Sequence, residues 1–218
     1  MKEFSKYNFL FPPRPEKAIP YGALNFYEKQ GFVAQHKKNG TCTVLYVTPE
    51  KEIIARTRHD DDHKLWSPTE KSSAPFKALK GKGWFVFATE VLHSKVKGGA
   101  KDTVYIFDIL VNDGETLTGK TFAERQEILK GLFPNRIPSI NHSHYVITEN
   151  VWLAKVLKKG FKEAMDRIQK KAGEKEGAPE DEGLVLKRPD APLASLGRAT
   201  SNSGWQVKCR VLAKNYSF

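Results

Sequence analysis

Cysteine and methionine are scarce in this chain of 218 residues, which holds two of each. No apolar run approaches the roughly 20 residues that span a bilayer as a helix, which excludes a helical membrane protein. With Cys42 and Cys209 alone there is neither a disulfide framework nor a zinc-ligand spacing, and two reduced structural thiols are predicted. The first residues, Met1 to Lys6, lead into no apolar signal core, so the expected location is the cytosol. Acidic residues are also in the minority: 25 Asp and Glu stand against 36 Lys and Arg, a formal charge of +11. That balance favours a polyanionic partner such as nucleic acid, because neutralised phosphates release counterions and a basic field speeds encounter. The length suits one main domain spanning 1–218, with residues 1–31 as an N-terminal strap. No internal repeat is visible.

Along the chain, proline gathers first: Pro12, Pro13, Pro15 and Pro20 predict an extended strap, with a helix only over 21–30. In 32–47 two apolar-rich runs flank Lys37-Lys38-Asn39-Gly40, and Asn-Gly in that setting predicts a tight hairpin turn. A lysine then sits at the lip of a sheet, where its amine meets a ligand held over the strands, and Gly40 lets a phosphate approach the backbone. Residues 53–58 read as a strand with Arg56 and Arg58 on one face. His59-Asp60-Asp61-Asp62-His63 has metal-ligand residue types, yet five consecutive side chains do not converge on one point and no third His or Cys has a familiar spacing, so a solvated loop is expected.

Residues 64–82 read as a Lys- and Ser-rich connector. The run 84–92 is an apolar strand interrupted by Glu90, an acid that needs a ligand, a metal or a basic neighbour. A second core strand, 103–110, also holds a single acid, Asp108, and Asn112-Asp113-Gly114 turns the chain after it. Thr121 and Glu124 have capping-box spacing and open a helix to about Phe133. From 148 to 171, Val151, Trp152, Val156, Leu157, Phe161, Met165 and Ile168 recur at helical spacing, predicting helix divided at Gly160. A solvated linker is expected over 173–181, then a strand over 182–187 framed by Glu182 and Lys187. A Pro-, Gly- and Ser-rich loop, 188–204, precedes a last strand, 205–210, with Lys208 and Arg210 on one face.

Taken in order, these segments resemble the covalent nucleotidyltransferases: ATP-dependent DNA ligases, RNA ligases and mRNA capping enzymes. Lys37-Lys38-Asn39-Gly40 is similar to the family's Lys-x-Asp-Gly motif, with Asn39 in place of Asp. Ala55-Arg56 resembles the arginine motif, and Thr89-Glu90-Val91 the acidic strand. Tyr105 to Leu110, with Asp113-Gly114, Leu117 and Glu124-Arg125, resembles the base-stacking segment of DNA ligases. Glu182 to Lys187 and Trp205 to Arg210 resemble the last two motifs, with Gln206 where lysine is frequent. The six motifs span residues 30–212.

The resemblance implies an α+β, ATP-grasp-like nucleotidyltransferase domain of antiparallel sheets flanked by helices. It implies ATP as cofactor with Mg²⁺ or Mn²⁺, and Lys37 as the nucleophile that forms a lysyl-AMP. Arg56, Glu90, Phe107, Glu182, Lys187 and Lys208 would bind the nucleotide, Phe107 by stacking on the purine, and Glu90 and Glu182 would hold the metal or the ribose. Lys187, Lys208 and the cation would favour the neutral, attacking amine. The activity implied is polynucleotide ligation of 5′-phosphate to 3′-hydroxyl ends, RNA-type or minimal nick sealing being preferred to a conventional DNA ligase because of Gly40-Thr41. The alternatives are a GTP-dependent capping guanylyltransferase and a non-catalytic nucleic-acid-binding module, the latter suggested by Asn39 and Gln206. Only residues 211–218 follow the last motif, so an OB-fold clamp is not expected, and either the ligase is minimal or a separate clamp or end-processing protein assists it.

Overall fold

The computed structural model describes residues 3–93, 99–140, 142–174 and 179–211. In chain order these form β1 (Arg14–Ala18), α1 (Leu24–Lys29), β2 (Val33–Lys38), β3 (Thr41–Val47), β4 (Ile53–Thr57), α2 (Glu70–Lys77), β5 (Phe85–Leu92), β6 (Thr103–Asn112) and β7 (Glu115–Thr116). They continue with α3 (Phe122–Leu132), β8 (Ile137–Pro138), β9 (His144–Thr148), β10 (Val151–Ala154), α4 (Phe161–Glu174), β11 (Asp181–Lys187) and β12 (Asn202–Arg210). The strands make two sheets. The smaller has the order β1-β12-β11-β2; the larger runs β4-β3-β5-β6-β10-β9-β8, with β7 also paired to β6. Pairing is antiparallel except for β1 with β12 and β6 with β10. This is the mixed α+β architecture expected.

Each sheet has its own core. Against the larger one, Phe76 of α2 and Phe133 after α3 meet Phe87 of β5, with ring centroids 5.3 and 6.2 Å away. Helix α3 forms because Thr121 and Glu124 cap it reciprocally, side chain to backbone in both directions. The smaller sheet divides its residues by strand alternation. Ala34, Leu184, Leu186, Val207 and Cys209 pack with Leu24 of α1 and with Phe161, Met165 and Ile168 of α4. The intervening Gln35, Lys37, Val185, Lys187, Gln206, Lys208 and Arg210 line a cavity on the other side. That polar face is where the chemistry of this chain collects.

Several expectations are corrected. The turn at Asn39-Gly40 does not close a hairpin: β2 pairs with β11, while β3 lies between β4 and β5. It carries the chain from one sheet to the other. Gly40 is needed because a Cβ there would lie 2.4 Å from the carbonyl oxygen of Val91, so the close approach it permits is that of β5. The 64–82 connector contains α2, whose end is capped by a reciprocal Thr69–Ser72 pair and whose Phe76 is fully buried. The predicted helix from 148 begins instead with the last residue of β9 and then strand β10, and α4 starts at Phe161, after Gly160 at φ +78°. Helix α4 reaches Glu174; the linker residues 175–178 lie outside the described residues, and Glu180 and Asp181 are ion-paired, not solvated. The strap contains β1, at a sheet edge where Pro15 is tolerated, and the 188–204 loop already includes the first residues of β12.

Candidate active site

Strand β2 presents Lys37 toward a cavity of about 430 Å³, and the Lys37 ammonium donates to the carboxylate of Glu182 on β11. Glu182 reaches that position through a bulge: Asp181 faces Lys38 and Gly183 faces Lys37, so Glu182 is the extra residue between them. Gly183 sits at φ +141°, and a Cβ on it would lie 2.0 Å from the Cys209 carbonyl oxygen on β12. Glycine therefore lets the bulged strand lie against its neighbour. Across the cavity, Glu90 of β5 accepts a hydrogen bond of 3.1 Å from the Gly40 amide. The single acid of that apolar strand thus engages the turn that follows Lys37.

Phe107, which also lines the cavity, is the half-buried residue in an otherwise buried stretch of β6. The Lys187 ammonium lies 5.2 Å from the Phe107 ring and 4.6 Å from that of Phe122 and donates to Gln35 Oε1 at 2.7 Å. Burial lowers the Lys187 pKa to about 8, with Asp108 opposing and Arg125 assisting. Lys208 is also shifted down, by burial first and then by the nearby positive charges of Arg210 and Lys37. Phosphate oxygens would be well met by such incompletely compensated cations.

Lys37, Glu90, Phe107, Lys187 and Lys208 thus line one cavity, with Glu182 bonded to Lys37. Arg56 stands apart: its guanidinium bonds Asp60 and Asp62 in the following turn. Arg58, just past the end of β4, lines the cavity instead. Side chains that were not singled out join it there: Arg14 of the strap, Gln35 and Arg198. Arg14 is anchored through its Nε to Asn202 Oδ1 at 2.6 Å; its only sequence signal was extension within a proline-rich run. Gln206, noted only as a departure, is buried and donates to Ser203 Oγ at 2.9 Å.

No group of three or more His, Cys, Asp or Glu side chains suited to a metal is present among the described residues. In the His59–His63 turn, Asp60 and Asp62 serve Arg56, and His63 Nε2 pairs with Thr43 Oγ1 at 2.9 Å. Glu90 and Glu182 are hard-oxygen donors of the kind that hold Mg²⁺ together with substrate phosphates, not as a cage of protein ligands alone. Among the described residues no helix is long and apolar enough to cross a membrane.

No family model matches the sequence. No curated protein matches it either. Among solved structures, the ligase domain of M. tuberculosis LigD is similar with a TM-score of 0.63 at 18 % identity, over 94 % of this chain and 61 % of that one. A Lig E DNA ligase gives 0.53 at 15 %, over 93 % and 69 %. The ATP-dependent DNA ligase of bacteriophage T7, in complex with ATP, gives 0.54 at 12 %, over 92 % and 68 %. This chain therefore spans about three fifths of the length of the mycobacterial domain. With its two sheets and the cavity between them, it has the fold of the nucleotidyltransferase domain of ATP-dependent polynucleotide ligases.

Proposed function

We propose that this chain is an ATP-dependent polynucleotide ligase acting through a covalent lysyl-AMP on Lys37. The observation that carries the reading is the placement of Lys37 on the wall of the cavity, bonded to Glu182, with Phe107 and Lys187 lining the same space. Phe107 offers a face for a purine ring. Lys208, Arg210, Arg14 and Arg58 line the cavity with positive charge suited to a triphosphate. Once the Lys37 ammonium has given one proton to water, the neutral amine attacks the α-phosphorus; a P–N bond forms, the bond to the bridging oxygen breaks, pyrophosphate leaves with the electron pair, and the nitrogen sheds a second proton to water. Lys37 must leave its ion pair with Glu182 to attack. Glu90 and Glu182 would hold Mg²⁺ or Mn²⁺, which when bound neutralises phosphate charge. The adenylyl group then passes to a 5′-phosphate, and a 3′-hydroxyl displaces AMP.

The Gly40-Thr41 pair favours an RNA-type or minimal nick-sealing substrate. Nicked DNA is the second reading, supported by the likeness to solved DNA ligases. Incubation with α-labelled ATP or GTP, followed by denaturing gel, separates a ligase from a capping guanylyltransferase and from a non-catalytic binder: label from ATP alone supports the proposal, and no label from either contradicts it. Sealing of nicked DNA, nicked RNA–DNA hybrid and single-stranded RNA across a salt series then chooses the substrate. With a net charge of +11, sealing should fall steeply with salt. Salt-insensitive sealing of nicked DNA alone would contradict the RNA-type preference.

A further inference from the structure

Next to Lys37 lies a second lysine that the reaction scheme does not use. The Lys38 side chain is 1 % exposed, and its ammonium reaches Glu180 Oε1 at 2.8 Å and Asp181 Oδ1 at 2.9 Å. It lies over the rings of Tyr105 on β6 and Trp152 on β10, 5.7 and 5.4 Å from their centroids. It thus ties the segment entering β11 to the face of the larger sheet. Asn39 adds two bonds to the same segment: its backbone amide donates to the Glu180 carbonyl at 2.8 Å, and its side chain to the Pro179 carbonyl at 3.2 Å.

The residue after Asp181 is Glu182, and the bulge that aims it at Lys37 lies between Asp181 and Gly183. On the β2 side the bulge leaves Glu182 outside the ladder, and on the β12 side its backbone is held by one bond, from the Val211 amide to its carbonyl at 3.1 Å. A slip of one residue would turn its side chain to the opposite face of the sheet.

We infer that Lys38 is a positioning residue for adenylylation: by clamping Glu180 and Asp181 it fixes the β11 bulge and so keeps the Glu182 carboxylate on the cavity face, beside the nucleotide, after Lys37 has left their ion pair. This rests on the reading of Lys37 as nucleophile. Burial opposes charge at both partners, yet Asp181 and Glu180 hold Lys38 above its ordinary pKa, and His36 with Lys38 holds Asp181 below the usual carboxylate range. A buried pair of this kind adds little net stability over apolar residues of similar volume, and its best-attested use is to fix register.

Single-turnover adenylylation with α-labelled ATP, titrated in ATP, tests the assignment. In Lys38→Met the maximal rate should fall at least tenfold while half-saturating ATP stays within threefold, with the label still on Lys37; Lys38→Arg should recover most of the rate. Asp181→Asn, which removes a charge at nearly constant volume, should lower the maximal rate at least threefold at unchanged half-saturation, and it serves if Lys38→Met fails to fold by circular dichroism. A folded Lys38→Met or Asp181→Asn with the wild-type maximal rate overturns the inference alone. A wild type that takes no label overturns the reading of Lys37, and the inference with it.

Discussion

The ammonium of Lys187, a residue only 3 % exposed, donates to the amide oxygen of Gln35, 2.7 Å away. Burial without a direct carboxylate partner lowers its pKa to about 8, against about 10.4 in an unfolded chain. Between these values the unfolded state binds more protons, so folding stability rises with pH; below about 8 both states are protonated and the penalty is present in full. The unfolding free energy of the wild type minus that of Lys187→Met should therefore increase between pH 8 and 10, at up to ~1.4 kcal/mol per pH unit. Urea unfolding at a series of pH values reads this difference. A flat difference would place the charge of Lys187 in a better-compensated setting.

Arg125, on α3, donates at 2.8 Å through Nε and Nη2 to the two carboxylate oxygens of Asp108 on β6, and its side chain is 0 % exposed. This bidentate pair holds the helix on the strand that presents Phe107. Arg125→Met would leave a buried carboxylate unpaired and should cost about 3–5 kcal/mol. The double variant Arg125→Met with Asp108→Asn should regain part of that loss, because the amide carries no charge to bury. Chemical denaturation of both variants checks the ordering, and a single variant as stable as wild type would contradict it.

Much of the core was legible in the sequence because local signals agreed. The strands that became β5 and β6 are apolar, rich in β-branched and aromatic residues, and too short to compete as buried helices. Thr121 and Glu124 announced α3 at its observed first turn. Non-local choices were not legible. Asn39-Gly40 signals a turn, but nothing in those residues says that β2 will pair with β11 and β3 with β5. Val151 to Ala154 are too few to separate a strand from a helix, and their apolar residues continue the helical spacing of α4. The site followed the same division. Alternation along 205–210 put Lys208 and Arg210 on one face and the resemblance put Lys187 in the site, whereas the bulge at Glu182 had no local signal, and the choice between Arg56 and Arg58 depended on where β4 ends and on the capture of Arg56 by Asp60 and Asp62. Strap residue Arg14 reaches the cavity only through the parallel β1–β12 pairing, a contact between the two ends of the described chain.

Glycine at 183 should resist replacement. A Cβ there meets the Cys209 carbonyl at 2.0 Å, and φ is +141°, so Gly183→Ala combines a backbone clash with a conformation that L side chains rarely adopt. The expected cost is about 2 kcal/mol or more, accompanied by slower adenylylation as Glu182 shifts. Gly22→Ala, where a Cβ would meet nothing within 4 Å, is the control and should be near neutral. Thermal unfolding of the two variants distinguishes this account from a general intolerance of alanine.

The most direct measurement is to locate the adenylyl group. After reaction with ATP and Mg²⁺ and neutral quenching, the protein should gain the mass of one AMP, and peptide mapping should place it on Lys37. Lys37→Ala, with unchanged circular dichroism, should gain none. Adenylylation that persists in Lys37→Ala, or maps to Lys38, would contradict the account, as would a wild-type protein that takes up no AMP with either Mg²⁺ or Mn²⁺.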